Sequence, residues 1–230
     1  MYDLIVAGGG PAGLMAAGIA AQEGKKVLLL EKNNQLGKKL LITGKGRCNL
    51  TNDCELEEII NNFPGNGKFL YSALYSFSNW QLRDFFAQLG VKTKVERGGR
   101  IFPTSNSARD VVEALKKFIS QAGVEVKLNT AITDIIVDDS QVTGVKTNGD
   151  NSYQGKNVLL AVGGSAYPTT GSSGDGFEIA ERLGHTIIRV KPSLVPLEVK
   201  EDWAKDLQGL SLKNVSVTLF KNGKEVESEF

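Results

Sequence analysis

An apolar run at residues 2–7 meets Gly8-Gly9-Gly10-Pro11-Ala12-Gly13, and this junction restricts the fold more than any other stretch of the chain. It reads as a buried strand entering a glycine turn. The spacing Gly8-x-Gly10-x-x-Gly13 gives one glycine for a sharp turn, one where backbone approaches a pyrophosphate, and one where helix packs closely on strand. Pro11 and Ala12 open the helix that follows, whose free N–H groups and positive dipole end would face phosphate. Because 26 glycines in 230 residues produce such spacings by chance, context decides. A helix over residues 11–23 stops at Gly24, Val27-Leu28-Leu29-Leu30 reads as a second buried parallel strand, and Glu31 ends it. That acid stands near the roughly 20-residue spacing at which a carboxylate accepts hydrogen bonds from an adenosine ribose. The bare alternative is a glycine-rich βαβ unit that holds no ligand.

Length and composition narrow the field. At 41% apolar residues, 230 residues can build one large domain or two small ones. The 27 Lys and Arg against 26 Asp and Glu leave a net charge of +1, which makes no field to draw nucleic acid or an anionic membrane, so neither is expected as a partner. Residues 4–21 are apolar, yet Asp3 replaces a basic leader and glycines and a proline interrupt the run, so the chain reads as cytoplasmic. Cys48 and Cys54 have no further Cys or nearby His for a zinc site and no C-x-x-C spacing. No Ser/His/Asp set or metal-ligand cluster suggests hydrolysis.

Beyond Glu31 the chain leaves the carboxyl end of a parallel strand, the ligand side of such a sheet, so Lys32 and Lys38 are placed to face phosphate or adenosine. Residues 55–89 are helical and rich in aromatics, and Phe77, Trp80 and Phe85 recur at near-helical spacing, as core residues do. Residues 91–95 suggest a strand, and Arg97-Gly98-Gly99-Arg100 either a hairpin turn or an anion contact. Residues 107–123 form an amphipathic helix with Val111, Val112, Leu115, Phe118 and Ile119 on one face. Residues 124–128, 132–137 and 142–147 fit a three-stranded antiparallel ribbon. Residues 156–164 then read as a central strand ending in Gly163-Gly164, where a backbone or ligand can approach. A short helix at 177–183 is capped by Gly184, and His185, the single histidine, reads as a partner of its C-terminal dipole. Residues 191–197 have the stiffness of a linker, and Asn222-Gly223 marks a hairpin beyond it.

Three blocks carry a family resemblance: Thr43-Gly44-Lys45-Gly46-Arg47-Cys48-Asn49-Leu50-Thr51-Asn52, Glu96-Arg97-Gly98-Gly99-Arg100-Ile101-Phe102-Pro103, and Thr170-Gly171-Ser172-Ser173-Gly174-Asp175-Gly176. Over residues 1–197 the chain resembles the bacterial flavoproteins of the aminoacetone oxidase family, also described as BaiN (YhiN)-type FAD-binding oxidoreductases. The resemblance implies an α/β, Rossmann-like FAD-binding domain of the two-dinucleotide-binding-domain type, followed by the start of a β-rich substrate domain. It implies FAD, with adenosine over Gly8–Gly13 and Glu31, Gly44, Arg47, Cys48 and Asn49 near the cofactor, and Ile132 backbone against adenine. Ala161, Gly163 and Gly164 resemble a turn that passes the FAD phosphates. Asp175 either caps its helix or holds a flavin hydroxyl. A buried inert thiol remains the competing reading of Cys48.

On this reading, residues 1–191 are the FAD-binding domain, with a helical insertion at 55–89 and the ribbon at 124–155. Residues 192–230 begin a second domain that is expected to be truncated. The expected function is flavin-mediated redox of a small organic molecule, with NAD(P)H as a candidate electron donor. An NAD(P)-binding dehydrogenase and an FAD-binding fragment without turnover are the alternatives.

Overall fold

The computed structural model describes residues 1–192, 198–212 and 215–229; the later part of the expected linker, residues 193–197, lies outside them. The chain divides into two units, Met1–Ile187 and Ile188–Phe230. In the first, strand β1 (Leu4–Ala7) leads through the glycine turn into helix α1 (Pro11–Gln22) and strand β2 (Val27–Leu30). An excursion follows: strand β3 (Thr51–Asn52), helices α2 (Leu56–Asn61), α3 (Tyr71–Ser76) and α4 (Asn79–Gln88), then strands β4 (Thr93–Glu96) and β5 (Arg100–Pro103). Helix α5 (Ala108–Gln121) returns the chain to strand β6 (Glu125–Lys127). Strands β7 (Ile132–Asp138), β8 (Gln141–Thr147) and β9 (Ser152–Gln154) precede β10 (Val158–Leu160) and helix α6 (Asp175–Arg182).

The main sheet has the order β10-β1-β2-β6 and is parallel at every pairing. Alternation sends its side chains into two cores. Val6 and Leu29 pack with Leu14 of α1 and Leu115 and Phe118 of α5 on one face, while Ile5, Leu28 and Leu30 pack with Val145 of β8 on the other. The amphipathic stripe expected for α5 is buried in full. Gly18 lets α1 approach α5, since a Cβ there would collide with the Phe118 ring.

Three expectations are corrected. Residues 124–128 are not in the ribbon: β6 lies parallel beside β2, and the ribbon is β7-β8-β9. The parallel neighbour wins because α5 is the crossover helix that carries the chain back along the sheet. Strand β9 is short and polar, so its sequence carries no strand signal. Second, β10 is an edge strand among the described residues, and Leu159 is 37% exposed. Third, Phe77 and Trp80 are 41% and 40% exposed; in the aromatic stretch Phe86 is buried and Phe85 packs partly against the core. The cause is local. Ser78 forms a capping box with Gln81, so α4 starts at Asn79, Phe77 lies before it, and the apparent period did not run along one helix.

The second unit holds helix α7 (Trp203–Asp206) and a hairpin of strands β11 (Val217–Lys221) and β12 (Lys224–Glu229). Asn222 and Gly223 both have positive φ, 53° and 74°, as a tight two-residue hairpin turn requires. Among the described residues no helix is long and apolar enough to cross a membrane.

Candidate dinucleotide site

At the carboxyl ends of β1, β2 and β10 lies a cleft of about 490 Å³, within the usual range for a small-molecule site. Gly8, Gly10, Pro11 and Ala12 form one side. Glu31, Lys32 and Lys38 come from the chain after β2, Ile132 from the start of β7, and Ala161, Gly163 and Asp175 from the chain after β10. Gly13, Gly44, Arg47, Cys48, Asn49 and Gly164 do not line this cleft.

The glycines divide by what constrains them. Gly8 has φ 106°, and a Cβ there would strike the Ala161 carbonyl. At Gly13 a Cβ would strike the carbonyl oxygen of Gly8, and at Gly9 it would meet the Leu36 side chain. Gly10 differs: φ is −80° and a Cβ would have no atom within 4 Å. It is also the N-cap of α1, a position where Ser or Asp would serve a helix better. Packing does not demand glycine at position 10. The first turn of α1 has neither a capping side chain nor an acid, so its positive end is not offset by a side chain of that turn.

Glu31 is 7% exposed and braces the loop. Its Oε2 accepts the Gly9 N–H at 2.7 Å, and Oε1 accepts the Asn33 backbone N–H at 2.8 Å and its Nδ2 at 2.6 Å. A carboxylate has about four acceptor positions, so capacity remains for a ribose hydroxyl. Glu31→Gln sets an amide donor against one of these N–H groups. We expect FAD affinity to fall by about 1 to 3 kcal/mol, the range for a charge-assisted hydrogen bond lost. Unchanged affinity in a fluorescence titration would leave Glu31 as a brace of the loop and nothing more.

Lys32 pairs with Asp175 at 2.7 Å and also donates to Ser173 at 2.5 Å. The Lys32 ammonium first, and then a hydrogen bond from the Ser173 side chain, hold the Asp175 carboxyl below its ordinary titration range. Asp175 is the first residue of α6 but bonds Lys32 rather than capping the helix. Lys39, Asn33, Thr130, Ala131 and Ser172 also line the cleft and escaped the sequence reading. Asn33 had a usable signal in its closeness to Glu31; Lys39 had none, because its place depends on contacts with residues 166–172.

The block at residues 43–52 builds a separate cluster. Gly44, Lys45, Gly46 and Cys48 all have positive φ, which lets the chain turn repeatedly within a few residues. Arg47 bonds Glu96, donates to Asn106 Oδ1 from Nε at 3.1 Å and from Nη2 at 2.8 Å, and lies 4.0 Å over the Phe102 ring. Arg47 and then Lys94 lower the Glu96 carboxyl. The Cys48 thiol is 1% exposed, and burial pushes its pKa up. Arg97-Gly98-Gly99-Arg100 forms the turn between β4 and β5. The His185 side chain is exposed, and its backbone N–H donates to the Ala180 carbonyl at the end of α6.

The HI0933-like protein Rossmann domain matches residues 2–226. The chain belongs to this family. Among relatives of this HI0933-like chain, a 3-dehydro-bile acid delta(4,6)-reductase of Clostridium scindens is 34% identical over 203 residues, covering 87% of this chain and 48% of that protein. A ribosomal RNA dihydrouridine synthase of Haemophilus influenzae is 32% identical over 213 residues, 90% of this chain and 52% of that protein. The HI0933-like chain thus spans about half the length of the curated relatives it matches. The open conformation of a flavocytochrome c3 fumarate reductase shares the fold, with a TM-score of 0.60 and 21% identity over 79% of this chain and 40% of the other.

Proposed function

We propose that the chain is the FAD-binding part of a cytoplasmic flavin-dependent oxidoreductase, with NAD(P)H as electron donor. Gly10 carries this reading. It is a glycine of the fingerprint that the protein's own packing does not need, and it opens on a cleft with Glu31 on its wall. The residues fit the group: the α1 N-terminus and Lys38 would hold the diphosphate, Glu31 the adenosine ribose, and Ile132 the adenine side. FAD when bound would supply hydride chemistry, while these residues bind and orient it. The activities named for the two relatives, a delta(4,6)-reductase and a dihydrouridine synthase, are both reductions of a carbon–carbon double bond. We extend that class to a small unsaturated substrate here.

The test is competition among FAD, FMN and NADH for the purified chain, followed by its absorbance. FAD is expected to bind in preference to both and to give a yellow protein. Equal binding of FMN would overturn the role of Gly8–Gly13 and Glu31, and preference for NADH would favour the dehydrogenase reading. RNA assayed beside small unsaturated ketones separates a nucleic-acid substrate from a small one.

Gly44, Arg47, Cys48, Asn49 and Gly164 remain part of the proposed flavin site through the family resemblance. For Arg47→Ala the expected outcome is FAD retention weaker by about 10-fold, or a changed rate of flavin reduction, the scale of one charge-assisted contact. Wild-type behaviour in both measurements would limit Arg47 to bracing Glu96 and Asn106.

A further inference from the structure

Residues 164–174 follow β10 and form a loop whose ends meet, the Gly174 N–H donating to the Gly164 carbonyl at 3.2 Å. Inside it, the N–H groups of Thr170 and Gly171 donate to Tyr167 and Pro168 at 2.9 Å each, so the loop is compact. Gly163, Gly171 and Gly174 have positive φ, as does Tyr167 at 55°, an unusual conformation for a bulky residue. Apolar packing does little to hold it. Tyr167 is 66% exposed, and the loop's one buried side chain is Ser172, a hydroxyl.

Polar bonds from the facing segment fasten the loop instead. Lys39 donates to the Ala166 carbonyl at 2.7 Å and to Ser172 Oγ at 2.5 Å. Lys32 donates to Ser173 Oγ and Asp175, and Asn33 Nδ2 to the Thr170 carbonyl at 3.3 Å. Lys32, Asn33 and Lys39 line the cleft on one side of this clasp, and Thr170, Ser172 and Asp175 line it on the other. The hydrogen bonds therefore join one wall of the dinucleotide site to another, and the only carboxylate in the clasp is Asp175.

We infer that residues 164–174 are a strap across the dinucleotide cleft, hinged at Gly164 and Gly174 and clasped by Lys32, Asn33 and Lys39, which sets how fast FAD leaves. The inference rests on the FAD reading given above. A compact loop held by hydroxyl and carbonyl acceptors opens as a unit without exposing a core, which suits a gate. The serine hydroxyls are the clasp's neutral half, so removing them loosens the strap while leaving every charge of the cleft in place.

The experiment loads the chain with FAD and follows release, by recovery of flavin fluorescence on dilution with a trap, in wild type, Ser173→Ala and Ser172→Ala/Ser173→Ala. The double variant is expected to release FAD about 10-fold faster, with association changed less than about 3-fold, since a lost clasp acts on the off-rate. Ser173 is exposed, so Ser173→Ala keeps the test valid if burial of Ser172 makes the double variant unstable; about 3-fold faster release is expected once its hydroxyl no longer bonds Lys32 and Asp175. Release at the wild-type rate overturns the strap while leaving FAD binding intact. Slower release also overturns it, because lysines freed from serine would then be gripping the diphosphate directly. A wild-type chain that binds no FAD sinks the cofactor reading and the strap with it.

Discussion

Gly10→Val is expected to remove FAD binding and leave the fold in place. The backbone at position 10 is extended, a conformation that valine adopts without strain, and no protein atom lies where its branches would begin. Those branches instead enter the cleft at the N-terminus of α1, where the proposed site brings the diphosphate against backbone. The expected loss is at least about 100-fold in affinity, close to 2.8 kcal/mol. Flavin retention and far-ultraviolet circular dichroism should therefore separate, the first lost and the second kept. Loss of both together would return Gly10 to a purely structural role and remove the main support for the cofactor reading.

Gly13→Ala is expected to do the reverse and damage the fold first. Its Cβ would collide with the Gly8 carbonyl oxygen, a backbone atom that cannot rotate away, and Val6 closes the space beside it. Relief requires α1 to lift from β1, which disturbs the core of Val6, Leu14 and Leu29. Overpacking of this kind costs about 3 kcal/mol at the upper end of its usual range. For a chain of this size the melting temperature should fall by roughly 6 to 12 °C, and FAD should be lost in proportion. A variant that melts like wild type but binds no FAD would mean that Gly13 faces the ligand rather than the strand. One methyl and one isopropyl group, placed three residues apart, thus test two different kinds of constraint.

What could be read from the sequence follows from how local each signal is. The unit from β1 to Glu31 is legible because its pieces are consecutive and each constrains the next: turn chemistry, helix stop and apolar strand agree. Helix α5 was legible for the same reason, its stripe needing no knowledge of its partner. Strand order was not. Whether residues 125–127 join the ribbon or the parallel sheet depends on where α5 delivers them, and alternation of Val124, Val126 and Leu128 suits either neighbour. The aromatic spacing of Phe77, Trp80 and Phe85 is not one helical face, because the capping box at Ser78 starts α4 only at Asn79. At the cleft, Gly8, Glu31 and Asp175 were found from motif context, whereas Lys39 and Thr130 reach it only through the tertiary fold.

The position of β1 has a consequence for how the chain is made. Ile5 pairs with Leu28 on one side and with Val158 on the other, so one flank of the strand is supplied within thirty residues and the other only much later. At 5–20 residues per second the ribosome needs roughly 8 to 30 s to synthesise the intervening chain. Through that interval β1 has an open flank, Ala7 lacks the N–H of Ala161 that its carbonyl accepts at 2.8 Å, and Gly8 lacks the carbonyl it is shaped to meet. Closing so distant a pairing is entropically slow. The glycine turn, although synthesised first, is completed only when β10 arrives, so assembly of the site depends on nearly the whole of the first unit.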